Sequence, residues 1–303
     1  MTAIGLVGYG RWGKHIFRDL RALGVDVHVA VPSSTSQIEA LATGAASVCP
    51  DCALLPEVDG FVVATPTATH AATLSKLVSR GRPIFVEKPL TDDLEKAREL
   101  VMRAGNRIFV MDKWRYHPGV EALAARAKSG ALGDILAIRT FRLGWDNPHR
   151  DVDSIWILLP HDLSISYEIL GYLPPAHSAI TTVPGQGHSS LIAILADTSK
   201  APQVTMEISS NHPVSRRAVV IIGSKASAQL ADSYDDRIFI GKGMPGFDAA
   251  DVEHEHVDTE FPLLRELRAF VEHVRGGAKP RSSAAEGLLF VERIATLRRL
   301  AGV

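Results

Sequence analysis

The stretch AIGLVGYGRWG, residues 3–13, is an apolar run that ends in Gly8-Tyr9-Gly10-Arg11-Trp12-Gly13. A Gly-x-Gly-x-x-Gly string carries little weight alone. Here a strand-like run, Ala3–Val7, precedes it and a helical pattern over Trp12–Leu23 follows. In that setting each glycine has a reason. Gly8 makes the tight turn, Gly10 lets a pyrophosphate approach the backbone, and Gly13 lets the helix pack on the strand. The helix N-terminus then faces the phosphates. Arg11 and Trp12 share the loop and count as candidate contacts.

The alternation continues outward from this unit. Strand patterns at Val25–Val31, Gly60–Ala64, Ile84–Val86 and Arg107–Met111 alternate with helical ones. The helices are expected over Ser36–Ala42, over Ala71–Ser79, and from Asp92, an N-cap completed to a capping box by Glu95, to about Ala104. This rhythm predicts an α/β chain whose first domain, residues 1–118, is a Rossmann dinucleotide-binding domain: a parallel sheet with helices on both faces.

After residue 118 the rhythm changes. A helix over Val120–Lys128 and a strand over Ile135–Leu143 are followed by a helix near Pro160–Leu170. Strands then follow one another at Leu191–Leu195, Gln203–Ile208, Ala218–Ile222, Ala228–Ala231 and Arg237–Ile240. Residues 119–303 are therefore expected to form an α+β domain with a largely antiparallel open sheet, serving substrate binding and oligomerisation. Leu263, Leu267, Phe270, Val271 and Val274 make one helical stripe; Phe290, Ile294 and Leu297 make another. The terminal helix is expected to pack back on the first domain. Residues 241–260 read as a loop. Within it, Glu253-His254-Glu255-His256 reads as a solvated edge, and no metal is expected.

Composition excludes several classes. The chain has 303 residues, 46% hydrophobic and 22% charged, with a net charge of −1. It lacks the positive footprint that nucleic acid demands. The N-terminus enters a strand at once, and no apolar stretch reaches membrane-spanning length. A cytoplasmic location is expected, with neither nucleic acid nor membrane as partner. The two cysteines, Cys49 and Cys52, read as small side chains near a loop rather than a redox pair.

The chemistry gathers at strand ends. A dinucleotide fold commonly places an acid after its second strand to hold the ribose hydroxyls. This chain has Val31-Pro32-Ser33-Ser34 there, and Asp26 lies at the other end of the strand. Ser33, Ser34 and Arg11 suit a 2′-phosphate, so the cofactor is NAD or NADP, with NADP favoured. Ala64-Thr65-Pro66-Thr67-Ala68-Thr69-His70 follows the next strand, and Thr65, Pro66, Thr67 and His70 are candidate cofactor contacts. Thr67 or Thr69 could equally cap a helix. Finally Glu87-Lys88-Pro89 ends an apolar strand in charge. Lysine suits a buried proton-transfer group because desolvation lowers its pKa toward neutrality. A surface ion pair with Glu87 is the plainer alternative.

These residues in this order resemble the glucose–fructose oxidoreductase and inositol dehydrogenase family, Gfo/Idh/MocA. The resemblance is carried by GYGRWG (8–13), ATPTATH (64–70), VEKPLT (86–91), SGALGDI (129–135) and PLLRELRAF (262–270). It implies a small-molecule substrate. It also implies hydride transfer between a nicotinamide and a ring carbon of a sugar, cyclitol or nucleotide-linked sugar. Lys88 inherits contact with the nicotinamide and the substrate hydroxyl, and Glu87 anchors its turn. The segment SIWILLPHDLSI, residues 154–165, resembles the one that presents a catalytic histidine, here His161. Pro160 reads as first turn of a helix, which would put His161 where the dipole disfavours its charged form. Many members carry an aspartate four residues earlier; this chain has Ile157. Arg115, Tyr116 and His117, with Trp156 and Asp162, are expected on the substrate side, interdomain packing being the alternative for the first three, and Arg216 or Arg217 could serve a diphosphate or equally point outward from a strand. A homodimer or homotetramer is expected. A redox-assisted glycoside hydrolase on the same scaffold and a non-catalytic NAD(P)-binding regulator are the alternatives.

Overall fold

Short runs rich in Val, Ile and Phe become strands buried on both faces, as parallel strands between helices must be. The computed structural model describes residues 2–145, 151–181, 190–197, 200–242 and 252–303. The chain divides into two compact units, Met1–Lys113 with Phe261–Val291, and Trp114–Glu260 with Glu292–Val303.

In the first unit the order is β1 (Ala3–Val7), α1 (Arg11–Ala22), β2 (Asp26–Ala30), α2 (Ser34–Ala42), β3 (Ser47–Cys49), β4 (Gly60–Val63), α3 (His70–Val78), β5 (Ile84–Glu87), α4 (Leu94–Ala104) and β6 (Ile108–Met111). The six strands pair in the order β3-β2-β1-β4-β5-β6, all parallel. The order reverses at β1, with β2 on one side and β4 on the other, and such a switch point is where open α/β sheets bind ligands. The main core cluster joins β1, β2, α1 and Phe85 to Leu263, Leu267, Phe270 and Val271.

In the second unit come α5 (Pro118–Lys128), β7 (Ile135–Trp145), α6 (Ser154–Leu170), β8 (Ala176–Ile180), β9 (Ser190–Asp197), β10 (Lys200–Ser209), β11 (Asn211–Gly223), β12 (Ala226–Leu230), β13 (Arg237–Lys242) and β14 (Val252–His256). The sheet runs β14-β13-β12-β11-β7-β10-β9-β8. Every pairing is antiparallel except β7 with β10. The helices α5 and α6 pack together, with α6 against β7, β9 and β10. The chain closes with α7 (Pro262–Val274) and α8 (Ala284–Leu300). Alternation of strands and helices, then a run of strands, thus yields the expected two sheets.

Local departures have local causes. The N-cap of α4 is Asp93, whose carboxylate accepts from the Lys96 amide at 3.0 Å, not Asp92 with a Glu95 box. Thr69 stands at the N-cap position of α3 without capping it; its hydroxyl donates to the Pro66 carbonyl at 2.7 Å instead. The larger departure is α6. It starts at Ser154, capped by Asp153, which accepts from the amides of Ile155 and Trp156 at 3.0 and 3.3 Å. Pro160 therefore lies inside the helix. Proline in a helix interior costs about 3 kcal/mol, more than a cap contributes, so the helix is carried through Pro160 by the apolar residues that α6 buries, among them Ile155, Ile157, Leu159 and Leu163. The strands β3, β8 and β14 are short or polar and lacked a periodic signal. The last occupies part of the expected loop, whose residues 243–251 lie outside the described residues. No helix among the described residues is long and apolar enough to cross a membrane.

Candidate active site

The glycine loop joins β1 to α1. Gly8 has φ +100°, and a Cβ there would stand 2.4 Å from the Ala64 carbonyl oxygen. A Cβ on Gly13 would meet the Gly8 carbonyl oxygen at the same 2.4 Å. Both positions are closed by backbone, so any side chain must push the loop apart. Gly10 differs: nothing among the described residues lies within 4 Å of where its Cβ would be. It is also the N-cap of α1, and no side chain caps that end. First-turn amides without intrahelical partners, beside an open bare backbone, fit a dinucleotide pyrophosphate.

After β2, Ser33 and Ser34 are exposed, as is Arg11 in the glycine loop. The Ser33 hydroxyl accepts from the Ser36 amide at 3.3 Å and caps α2. After β4, Thr67 is buried, and Thr69 Oγ1 reaches Thr65 Oγ1 at 2.9 Å. His70 is 1% exposed. Its Nδ1 lies 2.9 Å from the Pro89 carbonyl and its Nε2 3.0 Å from the Thr65 carbonyl. The ring clips the β4 loop to the turn that follows Lys88.

That turn is held from another side as well. Glu87 ends β5, and its carboxylate accepts from the indole Nε1–H of Trp12 in the glycine loop. The Lys113 ammonium stands 4.6 Å over the Trp12 ring. Burial raises the Glu87 carboxyl, opposed by Lys88, by the Trp12 hydrogen bond and by Lys113. Within this unit the glycine loop, the β4 loop and the Glu87-Lys88-Pro89 turn are therefore one connected assembly at the carboxyl ends of β1, β4 and β5.

The second unit builds its own cluster around Trp114, a residue that sequence reasoning passed over. His117 stacks on Trp114 at 5.0 Å, and His161 meets its ring edge-on at 6.4 Å. The Arg142 guanidinium lies 4.5 Å over it. Asp162 is fully buried and takes Arg142 in two bonds, Nε–Oδ2 at 3.0 Å and Nη2–Oδ1 at 3.3 Å. Burial still raises its carboxyl above the ordinary value, against the pull of Arg142.

The other expected substrate contacts are engaged within the same unit. Arg115 pairs with Glu168 at 2.9 Å, and Lys128 reaches the other Glu168 oxygen at 3.1 Å. Burial would raise Glu168, but these two cations together hold it below its usual range. His117 accepts from the Gly119 amide at 3.1 Å as N-cap of α5, and its Nε2 is 2.9 Å from the Ser233 carbonyl. Tyr116 is buried. Trp156 packs under the Arg298 guanidinium, which also pairs with Asp153. Arg216 lies 4.0 Å over the Phe141 ring. Ile157 is buried, and His161 is half-buried on the body of α6. The dipole of a helix end, which falls off within one turn, therefore does not bear on that ring.

Comparison with known proteins follows the same lines. Residues 2–110 match the family model described as an oxidoreductase family with an NAD-binding Rossmann fold. The rhizopine catabolism protein MocA of Rhizobium meliloti is 29% identical over 150 residues, 47% of this chain and 47% of that protein. An inositol 2-dehydrogenase of Pseudomonas fluorescens is 26% identical over 307 residues, 94% of this chain and 90% of that one. A levoglucosan dehydrogenase structure with NADH and levoglucosan has a TM-score of 0.87 over 99% of this chain and 97% of that chain, at 17% identity, a likeness of fold. The chain spans 47%, 43% and 55% of the first three curated relatives it matches, about half their length.

Proposed function

We propose that this chain, whose residues 2–110 match the family model, is a member of the Gfo/Idh/MocA oxidoreductase family and an NAD(P)-dependent oxidoreductase interconverting an alcohol and a ketone on a ring carbon of a sugar-like substrate. The observation that carries this reading is the Trp12–Glu87 hydrogen bond. It ties the loop that fits a pyrophosphate to the turn that presents Lys88.

When bound, the nicotinamide exchanges a hydride with the substrate carbon. The chain supplies the rest. The Gly8–Gly13 backbone and the start of α1 bind the pyrophosphate. Lys88 orients the substrate hydroxyl and carries its proton, because an alcohol that loses hydride must also lose the hydroxyl proton. Its mount is stiff: Glu87 is held by Trp12, and the Pro89 carbonyl by His70 at 2.9 Å. His161 serves as the second proton-transfer group, an imidazole able to change charge near neutral pH. Arg142 and Asp162 hold the wall on which Trp114 meets that imidazole. Arg115 is taken by Glu168, which weakens the case for an anionic group of the substrate at that position.

The test is turnover of NAD(P)H absorbance on a panel of sugars, cyclitols and nucleotide sugars. Lys88→Ala should lower kcat by about a hundredfold or more, the scale of a general acid–base group. His161→Ala should cost the same or somewhat less, with cofactor affinity little changed. A folded Lys88→Ala protein with near-wild-type kcat would refute the assignment.

A further inference from the structure

Glu266 sits on the apolar stripe of α7, between Leu263 and Phe270 in helical spacing, and is 0% exposed. Both of its carboxyl oxygens lack a hydrogen-bond partner among the described residues. Its place follows from the packing. Phe270 stacks on Phe85 at 4.9 Å with an interplanar angle of 18°. One helical turn before Phe270, about 6 Å along the axis, is Glu266. Two residues beyond Phe85, about 7 Å along β5 and on the same face, is Glu87. The side chains of Glu87 and Glu266 thus point into one region, and Glu87 is the charge that acts most strongly on Glu266. Asp112 and Lys113, after β6, also bear on it. Lys88 adjoins Glu87, and α1 contributes the uncharged Trp12.

An ionised carboxylate with no partner costs far more in a core than a protonated one. A second carboxylate charge beside Glu87 adds to that cost. Burial, Glu87 and Asp112 all push the Glu266 carboxyl well above its ordinary value, and only Lys113 opposes them.

We propose that Glu266 is a positioning residue for the Glu87–Lys88 turn: an uncharged carboxylic acid standing behind Glu87, it leaves Lys88 answering to Glu87 without a second charge behind it. The inference rests on the reading of Lys88 as the proton carrier. Its consequence is that Glu266 can be replaced by a neutral group of the same shape without disturbing Lys88, but not by a smaller one that leaves a cavity behind the turn.

The full chain is compared as wild type, Glu266→Gln and Glu266→Ala, with Glu266→Val in place of the alanine variant should that one not fold. The first readout is melting temperature against pH without cofactor. A group that keeps its proton when folded and loses it when unfolded makes stability fall as pH rises. Wild type should therefore lose stability relative to Glu266→Gln as pH rises above about 4.3, the ordinary glutamate value. Parallel curves overturn the uncharged state.

The second readout is the rate at which a neutral acylating reagent modifies Lys88 at pH 8, followed by peptide mass spectrometry. Glu266→Gln should leave that rate within about twofold. Removing a real charge near Lys88 would raise it about tenfold, and that result overturns the proposal. The alanine or valine variant should change the rate at least about threefold. If either leaves it as in wild type, Glu266 positions nothing. A third readout, kcat against cofactor affinity, should show kcat falling with affinity kept, and glutamine restoring kcat. Absence of turnover on every substrate, with the first two readouts as expected, counts against the proposed function and not against Glu266.

Discussion

Gly8 shows how one residue can be indispensable without touching chemistry. Its φ of +100° belongs to the region that side chains avoid, and its Cβ position is blocked by the Ala64 carbonyl at 2.4 Å. Gly8→Ala must pay for the conformation and for moving the β4 loop. We expect it to destabilise the chain by about 2 kcal/mol or more in urea unfolding, the scale of backbone strain plus steric conflict. It should also abolish cofactor binding. Gly10→Ala, in open space, should leave stability nearly unchanged while weakening the cofactor, since a methyl group there stands where a pyrophosphate would approach. Equal stability losses at the two glycines would show that the contrast between closed and open positions is misjudged. Gly8 is legible in sequence because the reason for it, a tight turn, is local. Glu266 was not. Its signal was an acid on the stripe of Leu263, Leu267 and Phe270, and reading it requires knowing that nothing across the helix pairs with it.

At the scale of elements, α6 and β7 are joined by the Arg142–Asp162 pair, whose side chains are 7% and 1% exposed. A buried pair is no gift to stability when compared with apolar residues. Removing one partner is another matter, because the other charge is then stranded. Asp162→Ala should cost about 3–5 kcal/mol, measured by urea unfolding. The Trp114 ring, which rests against the Arg142 guanidinium at 4.5 Å, should loosen with it. A loss below about 1 kcal/mol would mean that Arg142 finds water when its partner goes. The aspartate after the candidate catalytic histidine thus serves the wall of the cluster. Sequence reasoning placed it among substrate contacts because a carboxylate beside a histidine looks like chemistry, and its partner, twenty residues earlier on β7, is a matter of packing.

At the scale of the whole molecule, cofactor binding and stability are linked, since whatever binds only the folded chain stabilises it by mass action. NADP(H) at a hundred times its Kd should add about 2.7 kcal/mol, seen as a rise in Tm. With no acid after β2 to repel a 2′-phosphate, and with Arg11, Ser33 and Ser34 exposed there, NADP(H) should bind at least as tightly as NAD(H). A tenfold preference for NAD(H), about 1.4 kcal/mol, would sink this reading of the pocket. What the sequence by itself determined is the kind of sheet in each unit and the glycine loop. The pattern of short buried runs, helical stripes and punctuating Gly and Pro acts over a few residues and is written in order along the chain. The start of α6 carried a local signal in its capping aspartate, but a proline further on competed with it, and burial of the apolar residues around Pro160 decided between them. Only the tertiary structure decided which polar groups are already spent. Arg115 on Glu168, His70 between two carbonyls, Asp162 on Arg142 and Glu266 without a hydrogen-bond partner among the described residues differ in what surrounds them. Those surroundings come from residues distant in sequence, and the cost of an unpaired polar group is set by the packing that excludes water from it.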